Sequence, residues 1–387
     1  MLLRFIYIRE INERERNFGL DLLRSIAICL VLAAHGSYFL PPSPMRNIFL
    51  MDTAFFGVEI FFILSGFLIG NILLKLFSSQ QKDSNIHLVL NFWLRRWFRT
   101  LPNYYLFLIL NITLFKWLFS KNTTFGMKYL LFLQNFAWPY PFLMPESWSL
   151  AVEEWFYILF PIVMLVFIYL PISRKKSILT GLIVYLVVST AIRFIGAFSI
   201  DARWEQGIST VVIYRLDAIG YGVLFAYLNF FYNKFLEKFS GLMLFVGCIL
   251  IVLSISVLSY GVLTTKETLF NKTMLFTLTS IGLALLLPWF KGLKVKNKFI
   301  FYTVTHISVV SYSMYLIHYS FVIPILYTYF PLKTMPLYIV YIIYVSLTMI
   351  LSTIVYKYYE KPMTSLRGKF TKRETNLARQ IAAPDRY

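Results

Sequence analysis

The chain has 387 residues, 58% of them hydrophobic, a net charge of +19, two cysteines and four histidines. Its mean hydropathy of +0.67 excludes an ordinary soluble domain. So few thiols and imidazoles exclude a disulfide framework or a zinc cluster, and Cys29 and Cys248, set in apolar runs, are expected to be buried small hydrophobes.

Residues 1–18 form a polar N-terminal segment in which Arg4, Arg9, Arg14 and Arg16 interleave with Glu10, Glu13 and Glu15. The run that follows has no small-residue cleavage site, so it is expected to be a retained helix and not a signal peptide. Apolar runs then predict ten membrane-spanning helices near 20–40, 54–76, 101–119, 149–170, 178–198, 208–230, 241–262, 271–290, 306–330 and 335–357. The fold expected is all-α, a polytopic transmembrane helical bundle. The polar stretch 75–91 reads as a loop, leading into the aromatic-basic stretch 92–99, an interfacial helix just before the third span. The segment 122–147, with Trp138, Pro139, Tyr140, Pro141 and Pro145, is too broken for a span and reads as an outer loop or a re-entrant segment. Residues 363–387 form a polar tail, leaving 19–362 as the membrane domain.

Placing the N-terminus in the cytoplasm puts most basic residues in inward-facing segments, as the positive-inside rule requires. Both termini are then cytoplasmic and the protein is a multi-pass resident of the inner (plasma) membrane. The basic excess is mostly topology, so no nucleic-acid partner is expected. Oligomeric state is not legible in the chain.

Ionisable residues within spans are costly and mark pathways or sites. Arg24 and His35 are eleven residues apart, close to three helical turns, so they share a face about 16 Å apart along the first span. Glu59 falls early in the second span, Glu153 and Glu154 open the fourth, Arg215 and Asp217 lie in the sixth, and His318 is midway along the ninth. Each has a bland alternative: Arg24 as a snorkelling anchor, either histidine as a packing residue, Arg215 and Asp217 as structural ions. Residues two apart do not face each other on a helix, so Arg215 and Asp217 are expected to pair with other helices. Arg96 and Arg99, three apart, are neighbours, and with Arg24 they could clamp a phosphorylated ligand. A slender arm on that ligand could then run toward His35, an imidazole suited to act as base on a hydroxyl once oriented by a carboxylate. Coenzyme A has this shape.

In order along the chain, these residues resemble the motifs of the acyltransferase family 3 membrane proteins. The Arg–ten residues–His motif corresponds to Arg24 and His35. The Gly-Val-acid motif and its Ser-Gly-Phe-Leu continuation correspond to Gly57-Val58-Glu59 and Ser65-Gly66-Phe67-Leu68. Arg-x-x-Arg corresponds to Arg96 and Arg99, and a Ser-Leu-Glu-Phe-Tyr block to the stretch from Ser147 through Glu153 to Tyr157. Tyr214-Arg215-Leu216-Asp217 resembles an Arg-x-Asp block, Ser311 to Tyr315 a Ser-x-x-x-Tyr block, and Glu360-Lys361-Pro362 the closing acid-x-Pro. The resemblance runs from about residue 18 to 362 and is of the stand-alone type, with no appended hydrolase-like domain expected.

The resemblance implies an integral-membrane O-acyltransferase moving an acyl group, most often acetyl, from cytosolic acetyl-CoA or another acyl-CoA to a hydroxyl of a cell-surface or exported polysaccharide or its lipid-linked precursor. Arg24, Arg96 and Arg99 would hold the donor's phosphates. His35 would deprotonate the acceptor or itself carry the acyl group, with Glu59 or Glu153 orienting it or recognising the sugar. Ser311, Tyr315, His318, Arg215 and Asp217 would line the substrate pocket. No metal is implied. A transporter or flippase of a lipid-linked glycan and a membrane receptor or scaffold are the competing classes, and a macrolide or another small hydroxylated metabolite is the competing acceptor.

Overall fold

The computed structural model describes residues 16–78, 85–119, 125–139, 143–199, 203–264, 266–332 and 334–370. Residues 1–15 and 371–387, which include most of the predicted polar N-terminal segment and tail, lie outside the described residues. The described part is all-helical. Ten long helices follow the predicted spans one for one: α1 Phe18–Gly36, α2 Pro44–Ser78, α3 Asn85–Phe119, α4 Ser147–Ile168, α5 Arg174–Ser199, α6 Leu216–Lys238, α7 Ser240–Thr264, α8 Met274–Gly292, α9 Lys298–Ile317 and α10 Leu337–Val355. Among the described residues, eight helical segments are long and apolar enough to cross a membrane. The other two of the ten are α3, with Arg95, Arg96 and Arg99, and α6, with Asp217, Lys234, Glu237 and Lys238.

Several expectations are corrected. Of the stretch 75–91 expected as a loop, 75–78 end α2 and 85–91 begin α3. The stretch 92–99 is not a separate interfacial helix: it is continuous with the third span in the 35-residue α3, and Pro102 lies inside that helix. The cysteines are also corrected, since Cys29 and Cys248 are exposed and not buried. Their helix faces are apolar, and on the outside of a bundle in lipid a small thiol needs no cover.

α2 is the central helix, packed against α1 on one side and α6 on the other. Within a bilayer apolar side chains gain nothing by leaving lipid for protein, so helices associate where small residues let backbones touch. Gly66 and Gly222 provide that contact. A Cβ on Gly66 would lie 2.0 Å from the Ile219 carbonyl oxygen, and one on Gly222 2.3 Å from that of Ile63. α7 sits at the other extreme, with 17% of its apolar window buried against 67% for α2. It is a lipid-facing helix.

Two buried ion pairs brace this core. Arg193 of α5 meets Asp217 of α6 at 2.6 Å, the side chains 0% and 1% exposed. Arg193 also donates to the Tyr214 carbonyl at 3.2 Å and to Thr277 Oγ1 at 2.8 Å. Arg215, just before α6, pairs with Glu59 of α2 and lies over the Phe276 ring at 4.1 Å. The stretch before α4 is folded onto the bundle: Asn135 donates to the Thr210 carbonyl at 2.6 Å, and Tyr129 bonds the Leu143 carbonyl.

Two π-helical turns, His318–Val322 and Tyr356–Glu360, interrupt the last spans. Each precedes a proline, Pro324 or Pro362, whose ring cannot donate and crowds the carbonyl four residues back. The widened turn absorbs the misfit, and such turns recur at functional sites.

Asp217→Leu leaves the Arg193 guanidinium buried without its counter-ion, a loss of about 3–5 kcal/mol. A clear fall in the unfolding midpoint of detergent-purified protein is expected, and Arg193→Leu/Asp217→Leu recovers most of it.

Candidate active site

One cavity lies where α1, α2, α3, α4 and α9 converge, with a volume of about 150 Å³. Arg24, Arg96 and Arg99 all line it, together with Ser65, Glu153, Ser311, Tyr315 and Glu360. It is smaller than the ~300–1,000 Å³ of a pocket for a drug-sized ligand, so it suits a slender chain better than a bulky head.

Its arginines are held to different degrees. Arg24 is set by Asp21, one turn earlier on α1, at 3.6 Å and by Ser308 Oγ at 3.3 Å. Asp21 is in turn fixed by Arg16 at 2.6 Å and by the Ser308 hydroxyl at 2.7 Å. Arg96 bonds the Tyr157 hydroxyl, lies over that ring at 4.2 Å, and reaches Glu153 at 3.4 Å. Tyr157 donates to Glu153 at 2.8 Å, and Ser65 donates to the same carboxylate at 2.8 Å. Arg99 is exposed, with no hydrogen bond to any described residue. Its fork of N–H donors is therefore available to an anion. Glu360, in the second π turn, accepts from Ser313 at 2.6 Å and Asn103 at 2.8 Å.

The second cavity, about 140 Å³, contains His35, Tyr38, Glu59, Glu146, Trp148, Trp204, Glu205, Tyr315 and Tyr319 in its wall. Here the hydrogen bonds fix the protonation pattern of two imidazoles. His318 Nδ1 lies 2.7 Å from the Tyr315 carbonyl oxygen, which can only accept, so Nδ1 carries the proton. His318 Nε2 is then a lone pair, and it stands 3.0 Å from His35 Nδ1. His35 Nδ1 also lies 3.1 Å from the Val31 carbonyl oxygen, so it is the donor to both. The remaining nitrogen of His35, Nε2, is left with its lone pair, the form a general base requires. The relay runs from carbonyl to imidazole to imidazole.

Glu146, just before α4, reaches the same π turn by accepting from Ser320 at 2.7 Å, while its other oxygen is buried without a partner. Glu205, in the link between α5 and α6, has its carboxyl pushed above the usual carboxylate range by desolvation and by the neighbouring Glu267.

The two cavities share Val58 and Tyr315 in their walls. Tyr315 is anchored there by a 2.7 Å bond between its hydroxyl and Ser149 Oγ. Arg24 and His35 thus open into adjoining chambers and not into lipid.

Several expected placements change. Neither carboxylate orients His35: Glu59 is committed to Arg215, and Glu153 lies among the arginines of the first cavity. A carboxylate pairs with the nearest cation before it pairs with a neutral ring. Arg215 and Asp217 line neither cavity, because each is spent on a buried ion pair between helices. His318 stands behind His35 and not in the wall. Asp21, Arg193 and Glu146 escaped the sequence reading, and Tyr157 entered it only as the end of a motif block, although Asp21 one turn before Arg24 and Arg193 alone in the fifth span were visible signals. Among the described residues no group of three or more His, Cys, Asp or Glu side chains converges to hold a metal ion.

A family model described as an acyltransferase domain matches residues 17–357. The chain belongs to acyltransferase family 3. Family relatives include the peptidoglycan O-acetyltransferase OatA of Listeria monocytogenes, 29% identical over 167 residues, covering 39% of this chain and 24% of that protein. YrhL of Bacillus subtilis, provisionally named for the same activity, is 32% identical over 191 residues, covering 45% of this chain and 27% of its own. A provisionally named O-acetyltransferase of Staphylococcus aureus is 27% identical over 371 residues, covering 89% of this chain and 56% of that protein. The chain therefore spans only a quarter to just over half of the length of these relatives. No solved structure matches it significantly.

Selective ¹⁵N labelling of the histidines reads the relay directly. His35 is expected to show a protonated Nδ1 and a bare Nε2, a pattern kept in His318→Gln, whose amide oxygen can still accept, and lost in His318→Leu.

Proposed function

We propose that this membrane protein is an O-acetyltransferase that takes an acyl group from acetyl-CoA at the arginine cavity and esterifies a carbohydrate hydroxyl at the histidine cavity. The observation that carries the reading is the meeting of those two chambers at Val58 and Tyr315, three arginines on one side and an oriented imidazole on the other. The positive-inside distribution favours the arginine side as cytoplasmic, where acyl-CoA is made, with the protein in the plasma membrane and both termini inside. Residues 19–362 form the acyltransferase domain.

Arg24, Arg96 and Arg99 bind the donor's phosphates, and the thin arm carries its thioester to the partition. The acceptor hydroxyl gives its proton to His35 Nε2 while its oxygen bonds to the thioester carbon. The tetrahedral intermediate collapses, the carbon–sulfur bond breaks, and His35 returns the proton to the departing thiolate. The Tyr315 hydroxyl stands at the shared wall, where it can donate to the developing oxyanion. His318 acts through His35 as its positioning residue. Base assistance is worth about 10²–10⁴-fold, and holding both reactants in one water-poor place lowers the entropic part of the barrier.

The peptidoglycan activity printed for the relatives makes a cell-wall glycan the first acceptor to try. Purified protein in vesicles, given radiolabelled acetyl-CoA and cell-wall glycan, is expected to form ester that His35→Ala abolishes. Arg99→Ala is expected to raise KM for acetyl-CoA about tenfold or more, the worth of one charge-assisted phosphate contact. His318→Leu should lower kcat with KM for acetyl-CoA little changed, and His318→Gln should recover part of it. Glycan crossing the vesicle without ester formation would instead establish a transporter.

A further inference from the structure

The charge of the histidine cavity differs from that of its neighbour. Its wall contains Glu59, Glu146 and Glu205 and neither lysine nor arginine. Glu59 is neutralised from behind by Arg215, which does not reach the cavity. Glu205 is exposed there, and the like-charged Glu267 is close to it. Lys272 pairs with Glu267 at 3.2 Å. Arg46 lies 5.8 Å over the Tyr38 ring and donates to the Leu40 carbonyl at 3.1 Å, and Arg203, next to Trp204 in the chain, is exposed and not in the wall. Nothing in the wall would offset a negative charge brought in by a ligand.

The remaining wall suits a sugar ring. Tyr38, Trp148, Trp204 and Tyr319 offer aromatic surface, whose electron-rich faces attract the weakly positive C–H groups of a pyranose. The Trp204 indole N–H is bonded to the Asn271 carbonyl at 2.9 Å and its ring stacks on Phe276, so this platform is rigid. Glu146, 5% exposed, also lines this cavity, and one of its carboxyl oxygens is buried without a partner. A buried polar atom without a partner is costly, and a ligand hydroxyl would satisfy it.

We infer that the acceptor enters this cavity as an uncharged or amine-bearing sugar, and that Glu205 excludes sugars carrying an acidic group. The inference rests on the acyl-transfer reading and adds the chemical class of acceptor to it. An acidic group held a few Å from Glu205 in a partly desolvated cavity is expected to cost about tenfold or more in kcat/KM.

The test uses full-length protein in vesicles, acetyl-CoA, and glucosamine oligomers bearing N-acetyl, N-butanoyl or N-succinyl groups. The N-butanoyl and N-succinyl probes are similar in size and differ in charge. Ester formation on the N-butanoyl probe at least tenfold above the N-succinyl probe is expected, with the ratio reduced at least fivefold in Glu205→Gln. Equal use of the two probes overturns the inference and leaves the acyltransferase reading standing. A tenfold ratio that Glu205→Gln does not move overturns the part assigned to Glu205. Ester on none of the probes, despite His35-dependent turnover of acetyl-CoA, overturns the sugar class. Absence of that turnover as well overturns both readings.

Discussion

A charge inside a bilayer must find its counter-charge within the protein, and this requirement sorts the ionisable side chains of the chain into two kinds. Arg193 with Asp217, and Arg215 with Glu59, are buried ion pairs between helices, and neither arginine lines a cavity. They tie α5, α6 and α2 together, about two turns along from the glycine contact in the case of Glu59 and Arg215. Arg24, Arg96 and Arg99 are only partly satisfied, and they line a space. The difference between strut and site is whether the cation is enclosed with its counter-ion between helices or faces a space.

The imidazole pair follows the same logic with neutral groups. Two backbone carbonyls, of Tyr315 and Val31, accept from one nitrogen on each ring, which determines where the remaining lone pairs lie. No carboxylate is needed to orient His35, and none is placed to do so. The π turn that carries His318 widens the helix at that point, and Pro324 supplies the local reason for it. The second π turn presents Glu360 to the arginine cavity in the same manner. Proline spacing near the end of the chain therefore shapes both chambers.

Hydropathy located all ten long helices, because the length of an apolar run is a property of one segment and the bilayer fixes its scale. The common face of Arg24 and His35 was equally legible, being set by helical period alone. What the sequence could not show is which helix stands beside which. Glu59 was expected at the depth of His35 and shares its cavity wall, but Arg215 from another helix holds it, and Arg96 holds Glu153 in the other cavity. His318 was recognisable as a costly residue and not as the partner of another histidine 283 positions away. The continuity of α3 through 92–101 was missed for a different reason: its aromatic and basic residues resemble an interfacial segment, and only the packed helix shows them running on into the span.

The partition formed by Val58 and Tyr315 also bears on the membrane itself. An uninterrupted polar conduit from the three guanidiniums to the imidazoles would let protons and small ions run down their gradients. An apolar side chain and a tethered aromatic ring stand in the wall that the two chambers share, and apolar constrictions of this kind resist wetting. Val58 thus puts an apolar side chain between two polar chambers.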